Sequence, residues 1–155
     1  MTQREERQRE PSASGVTARA KLGAGSQEQS TSDRSLVVES DPTVVHLVAT
    51  ALRIAGHVVD TASTRADALA LLARHRYGLV VSNLHMPGLD GPALCEELAR
   101  HTPRTLPPLI FITRSAFLPE YSRFLMEVGP ALLVKPVSPA KLRDSVERLL
   151  GPRPA

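Results

Sequence analysis

Gly78-Leu79-Val80-Val81-Ser82 is a short apolar run that passes directly into Asn83-Leu84-His85-Met86-Pro87-Gly88-Leu89-Asp90-Gly91, a loop punctuated by proline and glycine. The run is too short for a helix and reads as a strand. Four further runs share its character: Leu36 to Val38, His57 to Thr61, Leu109 to Thr113 and Ala131 to Val134. The stretches between them have helical period. Val44, Val48, Ala51, Leu52 and Ala55 share one helical face, as do Tyr121, Phe124, Leu125 and Val128, and then Leu142, Val146, Leu149 and Leu150.

The helix starts are well marked. Pro42, Pro92, Pro119 and Pro139 sit where a first helical residue is expected, a position whose N–H has no intrahelical partner to lose. Asp41 and Ser138 precede two of these prolines as caps, and Thr64 with Asp67 resembles a capping box for the remaining helix. Gly129 suits the end of the fourth helix. Five strand-then-helix units, with strands apolar on both faces, predict an α/β fold: a five-stranded parallel sheet, doubly wound, with helices on both faces. In such a sheet ligands bind outside the carboxyl ends of the strands, where strand order reverses.

Composition limits what else the chain can be. Its 155 residues fit one ordinary domain plus a tail. Residues 1–34 contain only Val16 and Leu22 as large aliphatics and no Ile, Phe, Tyr or Trp, so burial cannot offset the entropy of ordering them. They are expected to be a disordered tail, followed by a domain over 35–150 and a short C-terminal tail at 151–155. A net charge of +3 is too diffuse for a nucleic-acid stripe. The single cysteine, Cys95, excludes an internal disulfide, and no apolar run approaches the ~18 residues of a membrane span. A polar, charged N-terminus argues against secretion. A cytoplasmic protein with neither a nucleic-acid nor a membrane partner is expected.

Strand one ends in Glu39-Ser40-Asp41, strand three in Asn83, strand four in Thr113 and strand five in Lys135-Pro136. These positions are expected to converge on one crevice. Lys135 stands out because only three of the nineteen basic side chains are lysine, so a compact ammonium here reads as a chemical requirement. A cis Lys135-Pro136 bond is compatible with a sharp exit from the sheet.

Residues 35–150 resemble the response-regulator receiver domain of two-component signalling, which has the flavodoxin-like form of this doubly wound fold. Val80 to Gly91 is similar to the family's stretch around its phosphoacceptor, with Met86-Pro87-Gly88, Asp90 and Gly91 in place. Leu36 to Pro42 resembles the acidic end of the family's first strand, while Ile110 to Thr113 and Val134-Lys135-Pro136 resemble its switch threonine and its lysine. The resemblance implies transfer of a phosphoryl group from a histidine kinase to an aspartate. The Mg²⁺ would be held by that aspartate, a first-strand acid and a backbone carbonyl, and charge neutralisation would do most of the catalysis.

Several residues depart from that pattern. Asn83 stands at the phosphoacceptor position, and a neutral carboxamide lacks the charge with which a carboxylate attacks phosphorus. The paired acids of the metal site become Glu39 and Ser40, with Asp41 expected to cap the first helix. Each lost carboxylate removes about 4 kcal/mol of attraction per charge pair at ~4 Å and effective dielectric ~20, so Mg²⁺ binding is expected to be weak or absent and no cofactor is expected. Lys135 is expected to pair with Glu39 and to hydrogen-bond Asn83. Arg114 follows Thr113 where the family keeps a small residue, and is a candidate cover for the crevice. Leu132 takes the place of the aromatic switch residue. His85 reads as a solvated loop imidazole and Cys95 as core.

The chain is therefore expected to be no enzyme but a degenerate receiver, a pseudo-receiver acting as a phosphorylation-independent interaction module in a phosphorelay. Its partners would be signalling proteins, such as a histidine kinase or another regulator, with the chain itself a monomer or weak homodimer. Two alternatives remain open at this point: a receiver phosphorylated or anion-liganded by altered chemistry, and a self-associating scaffold. No output domain is expected after Leu150. Contacts are expected to use the face built from the fourth helix, fifth strand and fifth helix.

Overall fold

The computed structural model describes residues 33–102 and 105–151. Of the expected tails, residues 1–32 and 152–155 lie outside the described residues. Among the described residues five strands form one parallel sheet in the order β2-β1-β3-β4-β5. They are β1 (Arg34–Val38), β2 (Val58–Ala62), β3 (Leu79–Asn83), β4 (Leu109–Thr113) and β5 (Ala131–Val134). The α-helices are α1 (Pro42–Ile54), α2 (Arg65–Arg74), α3 (Gly91–His101), α4 (Ser122–Val128) and α5 (Pro139–Leu150).

Alternation along the strands divides the core into two apolar layers. Val37, Leu79, Val81, Ile110, Ile112 and Leu133 face α1 and α5, where they meet Val48, Leu52, Leu142 and Val146. Leu36, Val38, Val80, Leu109 and Phe111 face the other three helices and meet Ala68, Leu72, Leu94, Leu98 and Val128. Strand order reverses between β1 and β3, so the crevice lies above Glu39 and Asn83.

The caps follow the sequence. Asp41 Oδ1 accepts from the Thr43 N–H at 3.0 Å, Thr64 Oγ1 from Asp67 at 3.1 Å and Ser138 Oγ from Lys141 at 3.2 Å. Gly129 ends α4 in the left-handed region, at φ 69°. The Lys135-Pro136 bond is cis. Gly91 opens α3 where a Cβ would come within 2.6 Å of the Leu84 side chain and 2.9 Å of Phe124, so any larger residue there would push these two side chains aside.

Five expectations need correction. β1 begins at Arg34, inside the stretch assigned to the tail, because Arg34 pairs with Val58 in the sheet and bridges to Asp60 at 2.9 Å. β2 begins one residue later than expected: the His57 N–H still bonds the Leu52 carbonyl of α1, and its ring is buried at 2.7 Å from Ser35 Oγ. β2 is not apolar on both faces, since it carries Asp60 and Thr61, and neither edge strand is buried on both faces, with Val58 of β2 and Val134 of β5 exposed. Pro119 does not start the fourth α-helix but lies in the second of two 3-10 turns, Ser115–Phe117 and Pro119–Tyr121. Tyr121, drawn inward by polar partners described below, breaks the helical path at φ −108° and ψ 11°, and α4 starts after it. On α3, Asp90 is the cap and Pro92 the second helical residue.

Candidate functional site

The strand ends bring together Glu39, Asn83, Thr113 and Lys135. Glu39 follows β1 directly and is 2% exposed, so its carboxylate must be satisfied by the protein. Its Oε2 accepts the Asp41 N–H at 2.9 Å and meets Asn83 Nδ2 at 3.5 Å, a long and weak contact. Its Oε1 lies 3.4 Å from Lys135 Nζ without a well-formed hydrogen bond. The pair of unit charges leaves the pocket electrically balanced.

Asn83 ends β3 half-buried, and its side chain works locally: Oδ1 accepts the His85 N–H at 3.1 Å. The expected Lys135 to Asn83 hydrogen bond is not formed. Glu39 stands between them instead, one oxygen toward each. Asp41 is exposed and engaged in capping, and Ser40 is exposed on the loop between them. Thr113 is buried, its hydroxyl donating to the Arg114 carbonyl at 3.2 Å, while its own carbonyl accepts the Lys135 N–H at 2.8 Å. Arg114 is exposed, and no hydrogen bond or ion pair among the described residues draws its guanidinium to Glu39, Asn83 or Lys135. Leu132 is half-buried against the layer under α2, α3 and α4.

Beside this pocket stands a second cluster that the sequence reading missed. His85 Nδ1 lies 2.7 Å from the Tyr121 hydroxyl, and the imidazole stacks on Phe117 with centroids 4.0 Å apart and planes at 18°. Tyr121 in turn donates to Asp90 Oδ2 at 3.3 Å. Burial, with the neighbouring charges of Asp90 and Glu120, pushes the Tyr121 phenol up to about 12. The segment after β4 is thus clasped to the loop after β3. A signal was present: the chain has only five Phe and Tyr residues, and two of them, spaced by four, follow Thr113 within eight residues.

On the far side of that loop, Arg65 Nη1 donates to the Gly88 carbonyl at 3.0 Å and Nη2 bonds Glu97 at 2.9 Å. Glu97, buried on α3, also takes Arg100 at 2.9 Å. The loop that follows Asn83 and carries His85 is therefore anchored from α2, α3 and the segment after β4.

Comparison with known proteins agrees with this geometry. The response regulator receiver domain family matches residues 36–147, and the chain belongs to that family. Among relatives, a probable transcriptional regulator, ycf27, of Porphyridium aerugineum is 29% identical over 118 residues, covering 76% of this chain and 48% of that protein. The transcriptional regulatory protein TcrA of Mycobacterium tuberculosis is 38% identical over 80 residues, covering 52% of this chain and 31% of its own length. The chain thus spans about half, or less, of these relatives. Among solved structures, the chemotaxis response regulator CheY4 of Vibrio cholerae superposes with TM-score 0.66 at 26% identity, covering 77% of this chain and all of that one. A CheY-like receiver domain protein of Methanospirillum hungatei gives the same score and identity over 94% of its length. The fold is the flavodoxin-like receiver fold, and the chain is a receiver domain of two-component signalling.

Proposed function

We propose that this receiver domain works as a phosphorylation-independent interaction module, a pseudo-receiver. The observation that carries the reading is the state of the pocket: where the family places its phosphoacceptor, Asn83 presents a neutral carboxamide whose oxygen is already committed to the His85 N–H. Mg²⁺ does not fit the donors present. Among the described residues Glu39 is the one carboxylate buried in the crevice, one oxygen holds the Asp41 N–H, and the other faces the Lys135 ammonium at 3.4 Å. A cation entering there would meet that ammonium, and Ser40 offers no compensating charge.

The chain's partners are signalling proteins, a kinase or another regulator, met at the face of α4, β5 and α5. Met126 and Val134 are exposed apolar side chains on that face, with Arg123 and Lys141 exposed beside them. Some relatives are named as transcriptional regulators, but the modest net charge of this chain gives no case for nucleic-acid binding. None of the helices among the described residues is long and apolar enough to cross a membrane, and we place the protein in the cytoplasm.

The test is incubation with a small phosphodonor and Mg²⁺, read by intact mass. No gain is expected. A stoichiometric gain of about 80 Da, one phosphoryl group, would support the altered-chemistry alternative and end this reading.

A further inference from the structure

A groove of about 790 Å³ runs between α1 and α5 on the side of the molecule opposite the clasp. Thr43 and Pro139, from the first turns, line one end, and Ile54, Ala55 and Gly151 the other, so the two helices lie side by side in the same direction. The floor is apolar, with Leu47, Ala51, Leu142 and Val146. Ile54 is 82% exposed at the rim, an unusual position for an isoleucine in a chain with so few large apolar groups at the surface.

The polar groups flanking this strip are arranged about its middle. Arg143 and Glu147 both line the groove, are exposed, and form no ion pair in the described chain. They stand one helical turn apart on α5, with opposite charges. A two-fold axis crossing the helices between them sets α5 against the α5 of another molecule, antiparallel. Arg143 of each copy then meets Glu147 of the other. The same axis lays α1 against α1, so that Leu47 and Ala51 meet near the centre and each Ile54 covers the first turn of the opposite helix. Apolar centre, charged rim and self-complementary charges are what an isologous interface requires.

We propose that the α1 and α5 groove is the seat of a second copy of this chain, in a two-fold dimer held by reciprocal Arg143 and Glu147 pairs. The two surfaces share α5, but the dimer contacts neither α4 nor β5, so Met126 and Val134 stay free for another protein.

The experiment is sedimentation equilibrium of the full chain over a wide concentration range, with circular dichroism to confirm folding of each variant. A reversible dimer is expected for the natural chain. Arg143→Glu and Glu147→Arg each place like charges at both pairs, and each is expected to weaken self-association about tenfold or more. An equimolar mixture of the two variants restores both pairs and is expected to associate as the natural chain does. A natural chain that stays monomeric throughout overturns the proposal and leaves the groove to a different protein. A dimer indifferent to both reversals, or a mixture no tighter than either variant alone, overturns it equally.

Discussion

The Tyr121 hydroxyl, 2.7 Å from His85 Nδ1 and 3.3 Å from Asp90 Oδ2, has one proton for two neighbours. With its pKa pushed up to about 12, mainly by burial, the phenol keeps that proton at neutral pH. If it donates to Asp90, the short contact to His85 requires the imidazole to donate from Nδ1. We therefore expect His85 to hold its proton on Nδ1, which two-dimensional ¹⁵N NMR of the ring reads directly. A neutral ring protonated on Nε2 would break the chain as described. His85→Ala removes both the stack on Phe117 and the hydrogen bond, at an expected cost of about 1–3 kcal/mol. Faster hydrogen exchange is expected at Ser115 to Tyr121.

Restoring a carboxylate at position 83 is not expected to restore the chemistry. In Asn83→Asp the new charge stands beside Glu39, now 3.5 Å from the amide nitrogen, with Lys135 alone to balance the two. Like charges raise one of the two pKa values, so stability is present at acid pH and lost as pH rises through that raised value, by on the order of 1 kcal/mol at neutrality. Intact mass after treatment with phosphodonor and Mg²⁺ is expected to show no product for the single variant. Product is expected only once Ser40→Asp is added, because it returns a further carboxylate to the crevice for the metal. Full phosphorylation of the single variant would show that the metal site needs no further carboxylate.

Asp60 supplies a pH dependence of stability. Burial opposes its ionised form, but hydrogen bonds from Tyr77 and Arg34, together with the Arg34 and His75 charges, outweigh it and hold its pKa below the usual carboxylate value. A depressed pKa contributes stability that is present above the unfolded value and lost as pH falls through the folded one. Acid unfolding is thus expected to begin at higher pH in Arg34→Ala or Tyr77→Phe, and denaturant midpoints across the acid range would reveal it. Midpoints of the variants that run parallel to the natural protein's would contradict this.

The Cys95 thiol is pushed up to about 12, first by burial and then by the Glu96 charge. Because the thiolate is the reactive species, labelling by a thiol reagent is expected to be slow in the folded protein and fast in denaturant. Rapid stoichiometric labelling at neutral pH without denaturant would place Cys95 outside the core.

Which parts of this were legible in the sequence follows from the range of the forces involved. Strands β4 and β5, the caps at Asp41, Thr64 and Ser138, and Gly129 at the end of α4 are set by local preferences and were read directly, while β3 lies one residue later than its apolar run. So was the approach of Lys135 to Glu39, because the strand ends of such a sheet must converge. The segment around Pro119 was misread because its path is set by Tyr121 reaching across to His85 and Asp90, contacts 36 and 31 residues away in the chain. His57 was misplaced for a similar reason, since Ser35 holds it from 22 residues away. Within the pocket, residue types were evident, but the side-chain arrangement was not: Glu39 facing both Lys135 and Asn83 depends on angles that no spacing encodes.

The sheet that divides the apolar interior into two layers also sets how damage adds up. Leu52, on α1, and Leu98, on α3, lie in different layers with the strands between them and no common neighbours among the side chains of either cluster. Each truncation to alanine is expected to cost about 2–5 kcal/mol. Measured together, their effects are expected to sum within about 0.5 kcal/mol, whereas Leu52→Ala with Val146→Ala, both in one layer, is expected to depart from additivity. Substitutions can then accumulate on the side that carries the α1 and α5 groove without being felt at the clasp. One half of the molecule is free to drift toward a new association while the other keeps the geometry of its loops.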